Sequence, residues 1–533
     1  KCVPSASGQL RVASPSLPQD LRGRMTTPTC VAFIGAGHVG GSTAAIIAHK
    51  CPKVRVLVYD VDHKKLDAWQ TANLPYYEPG LKEVVEGARG ANLIFTADLR
   101  RCVSEAQLIF VAVTTPLKPE GIGAGEAPDV RYWEETARQI GAIATEPKVV
   151  IERSTVPVRT ASTMAKILRP PCSQLVHEVV SNPSFAPSGQ AMVHEASPDL
   201  VLIGRQETAS GHAAAAALTS LYSQWVPAHK IKTSDVWSAE LSKLAANAFL
   251  AQRVSSMNAI SAVCEASDAD VTEVAKAIGT DSRIGGKHLN AGIGFGGATY
   301  TSHLRNLVYL CKHYDLVEVA TYWQSVLDMN EWQRNRFTEG IVKALFNTVA
   351  GKKLAVLGFS YKKDTSDVRE SPAKYVCKRL LEEGAELAVF DPKATPAVIK
   401  KELGAGAGAL DEASADGGAL LVPVGPGKLS VAPDAYTAAS GAHALLVLTD
   451  WDEFATLDFA KVHAGMKRPC YVFDGRCNMD DKALREIGFQ VHSIGKPKPP
   501  PVEQQRLPRR DSANVNQLRA SMESMGNTSV LDY

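Results

Sequence analysis

Gly35-Ala-Gly37-His-Val-Gly40 spaces three glycines as a main chain must to wrap a pyrophosphate. The first permits a tight turn, the second a close approach of the ligand, and the third close packing of helix on strand. The pyrophosphate would sit on the next helix's N-terminus, where free N–H groups and the helix dipole favour anions. Asp60 ends the following apolar run, at a distance suited to a ribose 2′-hydroxyl, and its charge repels a 2′-phosphate. That pattern favours NAD over NADP. Lys64 and Lys65 follow, and Lys65 joins the candidate cofactor contacts. Lys243 and Asn247 are four apart in a helical stretch and share one face. They offer an ammonium and an amide, groups that stabilise developing negative charge. Thr115 and Thr155 each follow an apolar run, at strand ends where α/β sheets place their ligands.

These residues require particular elements to hold them. Residues 30–34, Val54–Tyr59, Leu108–Val113 and Val149–Glu152 read as strands separated by helical stretches, which argues a parallel, doubly wound domain over 25–235. From 237 to 265 there is no Pro or Gly, and small residues dominate, so one long helix opens an all-α middle domain over 236–348. At Lys353–Gly358 the α/β pattern restarts, with strands at Leu387–Phe390, Ala444–Leu448 and Tyr471–Phe473, giving a second Rossmann-like domain over 349–495. Gly404–Gly427 reads as a surface insertion. Residues 1–24 read as an extension and 496–533 as a polar, disordered tail.

Composition narrows the function classes. Lys+Arg 58 against Asp+Glu 56 asks for neither nucleic acid nor an anionic membrane as partner. The ten cysteines fall without CxxC pairs or zinc spacings, so no metal site is expected and reduced thiols of a cytoplasmic protein are. No run reaches the apolar length of a membrane span.

Longer motifs carry a resemblance. Ile34-Gly-Ala-Gly-His-Val-Gly-Gly41, Tyr77-Glu-Pro-Gly-Leu-Lys-Glu-Val-Val85, Arg153-Ser-Thr-Val-Pro-Val158, Glu240-Leu-Ser-Lys-Leu-Ala-Ala-Asn-Ala-Phe-Leu-Ala-Gln-Arg253 and Lys362-Lys-Asp-Thr-Ser-Asp-Val-Arg-Glu-Ser371 resemble the UDP-glucose/GDP-mannose dehydrogenase family. The animal and plant UDP-glucose 6-dehydrogenase branch matches best, over about 28 to 496. The resemblance implies oxidation of the C6 alcohol of UDP-glucose, or a related UDP-sugar, to a carboxylate. Two NAD and a cysteine thioester are involved, with no metal. It further implies that Lys243 and Asn247 hold an oxyanion or water beside C6, and that Thr155 lies near the nicotinamide. By the same resemblance Thr115 and Arg369 contact the cofactor, and Lys362 and Arg476 contact the UDP-sugar. Arg283 is donated across a subunit interface, and the Phe295-Gly296-Gly297 main chain meets the uridine. Self-association through the middle helix is part of the same expectation.

The site departs from the family where the chemistry is hardest. The family loop GFGGSCFQKD reads here Gly294-Phe-Gly-Gly-Ala-Thr-Tyr-Thr-Ser-His303, with Thr299 at the nucleophilic cysteine, Ser302 at the lysine and His303 at the aspartate. In Asn182-Pro-Ser-Phe-Ala-Pro-Ser-Gly189, Ser184 stands at the glutamate assigned to general-base work and Ser188 at a second glutamate. A thiol is partly ionised near neutrality and strongly nucleophilic, whereas a threonine hydroxyl is neither. Hydride transfer from the alcohol needs no covalent bond, so the aldehyde-to-acid half is the step these changes touch. His303 reads as a solvated histidine rather than a base. The alternative function is a catalytically impaired paralogue that binds NAD and UDP-sugar and regulates or co-assembles with an active enzyme.

Overall fold

The computed structural model describes residues 27–169, 175–405 and 421–497. The extension 1–24, nearly all of the tail from 496, and most of the Gly404–Gly427 insertion lie outside the described residues.

The first sheet contains β1 (Cys30–Ile34), β2 (Arg55–Tyr59), β3 (Leu93–Thr96), β4 (Leu108–Val111), β5 (Val149–Glu152), β6 (Glu178–Ser181), β7 (Val201–Arg205) and β8 (Ile231–Asp235). Their spatial order is β3-β2-β1-β4-β5-β6-β7-β8. The first six strands are parallel, while β7 runs antiparallel to β6 and carries β8 parallel to itself. The order 3-2-1-4-5-6 is that of a doubly wound dinucleotide fold, whose ligand crevice lies at the switch between β1 and β4. Strands covered on both faces read as continuous apolar runs. Val31 and Phe33 accordingly pack under the helix His38–Lys50, and Ala32 and Ile34 under the helix Arg131–Ile143.

The second sheet repeats the plan with β9 (Lys353–Leu357), β10 (Glu386–Phe390), β11 (Val422–Val424), β12 (Gly427–Val431), β13 (Ala444–Val447), β14 (Tyr471–Asp474) and β15 (Gln490–Ser493). Spatially they lie as β11-β12-β10-β9-β13-β14-β15, again switching where the first strand meets the fourth parallel one. The hairpin β11–β12 is antiparallel and occupies the end of the stretch expected to be pure loop. Pro423 fits there because β11 is an edge strand, where a missing N–H is tolerated.

Between the sheets runs the helix Val236–Ser267, 32 residues and about 48 Å long. Asp235 caps it by accepting from Ser238 N. Small side chains such as Ala248 and Ala251 let the helices Ala298–His313 and Val317–Ala344 pack closely, closing a core with Leu304, Val308 and Val326. Anchors line this long helix: Ser255 donates to Val326 O, Asn258 accepts from Gly292 N, and Glu265 accepts from Gly495 N at the end of the second sheet's domain.

Candidate functional site

The glycine turn leaves β1 at the switch point. Gly35 has φ +109°, and a Cβ there would stand 2.4 Å from Ala112 O. A Cβ at Gly40 would stand 2.0 Å from Gly35 O, so helix and strand meet too closely for any side chain. At Gly37 a Cβ would meet nothing within 4 Å, which leaves the approach to the helix N-terminus open. Asp60 organises this turn: Oδ2 accepts from Ala36 N at 2.8 Å and Oδ1 from Asp62 N at 3.0 Å. Lys65 Nζ donates to the same carboxylate at 2.9 Å. The arrangement fits a dinucleotide: a glycine cradle, a helix N-terminus, and an acid at the second strand's end.

From the second domain, the charge of Arg369 acts on His38 at this turn. Arg369 is held by a two-pronged pair to Asp367, with Nε at 2.9 Å and Nη2 at 2.7 Å. Burial pulls His38, which opens the glycine-turn helix, down to about 4, with Asp367 opposing and Arg369 assisting. Thr115 Oγ1 donates to Thr155 O at 2.8 Å, so the ends of β4 and β5 are joined through these two residues.

Lys243, Asn247 and His303 form a second cluster. Lys243 Nζ lies 3.4 Å from Asn247 Oδ1, and Asn247 Nδ2 lies 2.6 Å from His303 Nδ1. The ammonium fixes which end of the amide faces it. The amide nitrogen therefore donates to Nδ1, and the imidazole proton sits on Nε2. All three are buried, and Lys243 lies 5.2 Å from the centre of the Phe185 ring. Burial, with Arg153's charge added, lowers Lys243 to about 8. Burial, with Lys243's charge added, lowers His303 to about 3. The expectation of a solvated histidine is thus overturned. The segment from Ala298 is helical, and residue 303 shares its buried face with Leu304, Leu307, Val308 and Cys311.

Thr299 is the second residue of that helix and is exposed, following Gly297 at φ +80°. Ser302 bonds back to Thr299 O and Ala298 O on its own helix. Ser184 donates to Glu195 Oε1 at 3.0 Å, and Arg153 Nη2 meets the same oxygen at 2.5 Å. Thr43 and Asn182 complete this buried network. Sequence reasoning missed Glu195, because nothing in its neighbourhood marks it as the partner of a residue 42 positions away.

The Gly294–Gly297 segment also differs from expectation. The Phe295 amide donates to Asn330 Oδ1 at 2.8 Å, and the Phe295 carbonyl accepts from Asn330 Nδ2 at 3.2 Å. A Cβ at Gly296 would strike Pro372, and one at Gly297 the Tyr361 ring. These glycines admit the second domain rather than leaving main chain free. Arg476 lies alongside, its Nε donating to Leu448 O and Nη2 to Tyr361 O, while burial lowers its pKa. Burial lowers Lys362 as well, against the opposing charge of Glu78 from the first domain. Arg283 stands apart: its side chain is exposed and paired with Asp281.

Beneath Arg153, Glu152 is wholly buried, and no hydrogen bond of good geometry reaches either carboxyl oxygen. Burial first, and then the neighbouring Glu240, push it well above the carboxylate range. Glu240 accepts from Arg159 N and Ala161 N. Glu152 therefore holds its proton to higher pH than a solvated carboxyl does. A carboxyl raised on folding contributes stability below about pH 4.5 that is lost as pH climbs through its folded value. Glu152→Gln cannot ionise, so its melting temperature should gain on the wild type as pH rises above about 4.5. Melting curves that stay parallel across that range would refute the buried proton.

Three models of one family match the chain. The NAD binding domain of the UDP-glucose/GDP-mannose dehydrogenase family matches 29–226, its central domain 237–332 and its UDP binding domain 355–481. The chain is 51% identical over 471 residues to UDP-glucose 6-dehydrogenase 1 of Oryza sativa subsp. japonica, spanning 88% of this chain and 97% of that one. It is 49% identical over 470 residues to UDP-glucose 6-dehydrogenase 3 of Arabidopsis thaliana, with the same coverage. Among solved structures it is similar to a UDP-glucose dehydrogenase from the hyperthermophilic archaeon Pyrobaculum islandicum. There the TM-score is 0.74 at 25% identity, covering 89% of this chain and 99% of that one.

Proposed function

Because the chain belongs to the UDP-glucose/GDP-mannose dehydrogenase family, we propose that it oxidises C6 of UDP-glucose with NAD, the alcohol-to-aldehyde half outpacing the aldehyde-to-acid half. The observation that carries this reading is a glycine turn ordered by Asp60 on a doubly wound sheet, together with a buried Lys243–Asn247 pair on the long helix that follows its last strand. The glycine turn and Asp60 would hold NAD, which would supply the hydride acceptor for C6. Lys243 and Asn247 would stabilise the oxygen of C6 as its proton passes to water. Thr115, Thr155 and Arg369 would border the cofactor, while Lys362 and Arg476 would border the nucleotide. His303 is neutral and holds Asn247 in orientation rather than acting as a base. Thr299 offers only a hydroxyl, and Ser184 is engaged by Glu195, so neither supplies the nucleophile or base for the second half.

Purified protein with UDP-glucose and NAD, followed by NADH formation and product mass, tests the reading. NADH with aldehyde-level product ahead of uronate is expected. UDP-glucose at millimolar concentration should also raise the melting temperature. No thermal shift and no NADH would overturn the substrate assignment, whereas a shift without NADH would favour the non-catalytic binding paralogue.

Asp60 sets cofactor choice in this reading. Asp60→Ala removes the repulsion of a 2′-phosphate and also frees Lys65 to meet one. Calorimetric titration should show the preference for NAD over NADP narrowing by about tenfold or more. Adding Lys65→Ala should widen it again. Unchanged preference in Asp60→Ala would dismiss this role.

We read the units as 25–235, 236–348 and 349–495, with the middle one joining two copies. Trp237, Phe249 and Val263 on the long helix, and Tyr322 and Trp332 on its neighbour, are exposed apolar side chains suited to that contact. Arg283 would enter the partner's site from there. No helix among the described residues is long and apolar enough to cross a membrane, and every described cysteine is free. Free thiols support a cytoplasmic setting.

A further inference from the structure

Lys243 is a buried cation without an anion. It is 8% exposed, and among the described residues it makes no ion pair. Its polar contact is the neutral Asn247 Oδ1 at 3.4 Å, long for a charged donor, and its ammonium lies 5.2 Å from the centre of the Phe185 ring. The groups facing it from other elements do not compensate. Arg153, from the end of β5, is a second cation, and the carboxylate beside it, Glu195, is bound to that guanidinium at 2.5 Å. His303, from the Ala298–His313 helix, is neutral and its Nδ1 is engaged by Asn247. On Lys243's own helix, Glu240 is tied to the Arg159 and Ala161 amides. An ammonium has three protons to donate, and a buried one gains most from a carboxylate that replaces the lost water.

Resting on the reading that this cluster lies beside C6 of a UDP-sugar, we propose that the chain binds the 6-carboxylate sugar nucleotide, UDP-glucuronate, more tightly than the 6-alcohol, UDP-glucose. The two ligands share the uridine, the diphosphate and the ring, so those contacts cancel in the comparison. What differs is one carboxylate placed against one unpaired ammonium. The alcohol leaves Lys243 as it is. The acid pairs with it, and a charge-assisted hydrogen bond there favours the acid by roughly tenfold to a hundredfold.

Proton linkage supplies a second, independent readout. Burial holds Lys243 near 8 in the free protein, and a bound carboxylate raises it. At about pH 8.5 the uronate should therefore take up a fraction of a proton on binding, while the alcohol should not. The test is calorimetric titration of the full chain with each ligand. NADH is kept present so that the alcohol is not turned over, and the titrations are repeated in buffers of different ionisation enthalpy. The expected result is tighter uronate binding whose heat alone depends on buffer, with both differences lost in Lys243→Met. Equal affinities, or a uronate heat independent of buffer at about pH 8.5, overturn the proposal and leave the UDP-sugar reading standing. Failure of both ligands to bind at millimolar concentration overturns both.

Discussion

Thr299→Cys is expected to give the chain covalent capture of the C6 aldehyde, seen as a trapped adduct by mass spectrometry that the wild type lacks. Residue 299 is exposed on the first turn of a sixteen-residue helix. A thiol placed there is nearer ionisation than a hydroxyl, and the helix N-terminus favours its thiolate. Lys243 and Asn247 remain to steady the tetrahedral oxygen. Hydrolysis should stay slow, since the Ser184 hydroxyl cannot act as a carboxylate base. Introducing Ser184→Glu by itself is expected to fail, because the new carboxylate would crowd Glu195 around one guanidinium in a buried network. Ser184→Glu with Glu195→Gln keeps a single negative charge beside Arg153. Combined with Thr299→Cys, this pair should raise uronate output by on the order of a hundredfold, the usual worth of one placed base. A wild type that already makes uronate at ordinary dehydrogenase rates would overturn this account of residues 184 and 299.

Lys243→Met should lower the rate of NADH formation by on the order of a hundredfold to a thousandfold, as removal of one oxyanion donor typically does. The methionine fills the apolar part of the lysine's space beside Phe185, so folding should survive. The pH profile separates this role from a structural one. Only the ammonium stabilises the C6 oxygen as its proton leaves, and burial lowers Lys243 to about 8. The wild-type rate should bend downward above about pH 8, and the bend should vanish in the variant. A rate that rises through that pH in the wild type would mean the free amine acts, as a base.

Much of this was legible because the informative runs are long or strongly patterned. The apolar strands β1, β4 and β5, the glycine turn and the uninterrupted helix all announce themselves by period and by the absence of breakers. The strand β8 was not legible: Ile231-Lys-Thr-Ser-Asp235 lies at the sheet edge, half exposed, and carries almost no apolar signal. The state of His303 was hidden for another reason. The glycines before Ala298 suggest a loop, and only once the following turn is helical does residue 303 face inward. Likewise the roles of Gly296 and Gly297 depend on Tyr361 and Pro372, which approach from a distant part of the chain. The pairs Arg153–Glu195 and Glu152–Glu240 depend on tertiary approach alone, since charge spacing in sequence does not reveal them.

The long helix has a property that its composition hides. Glu240, Asn247, Asn258 and Glu265 are fixed, in that order, to the Arg159 and Ala161 amides, to His303, to the Gly292 amide and to Gly495 at the far end of the second sheet's domain. One added residue turns everything beyond it by about 100° and shifts it by about 1.5 Å. A single insertion between Asn247 and Ser255 would therefore swing the Ser255, Asn258 and Glu265 attachments off their targets while leaving every residue type in place. This segment behaves as a ruler, whose marks meet their targets only while the number of residues between them is kept.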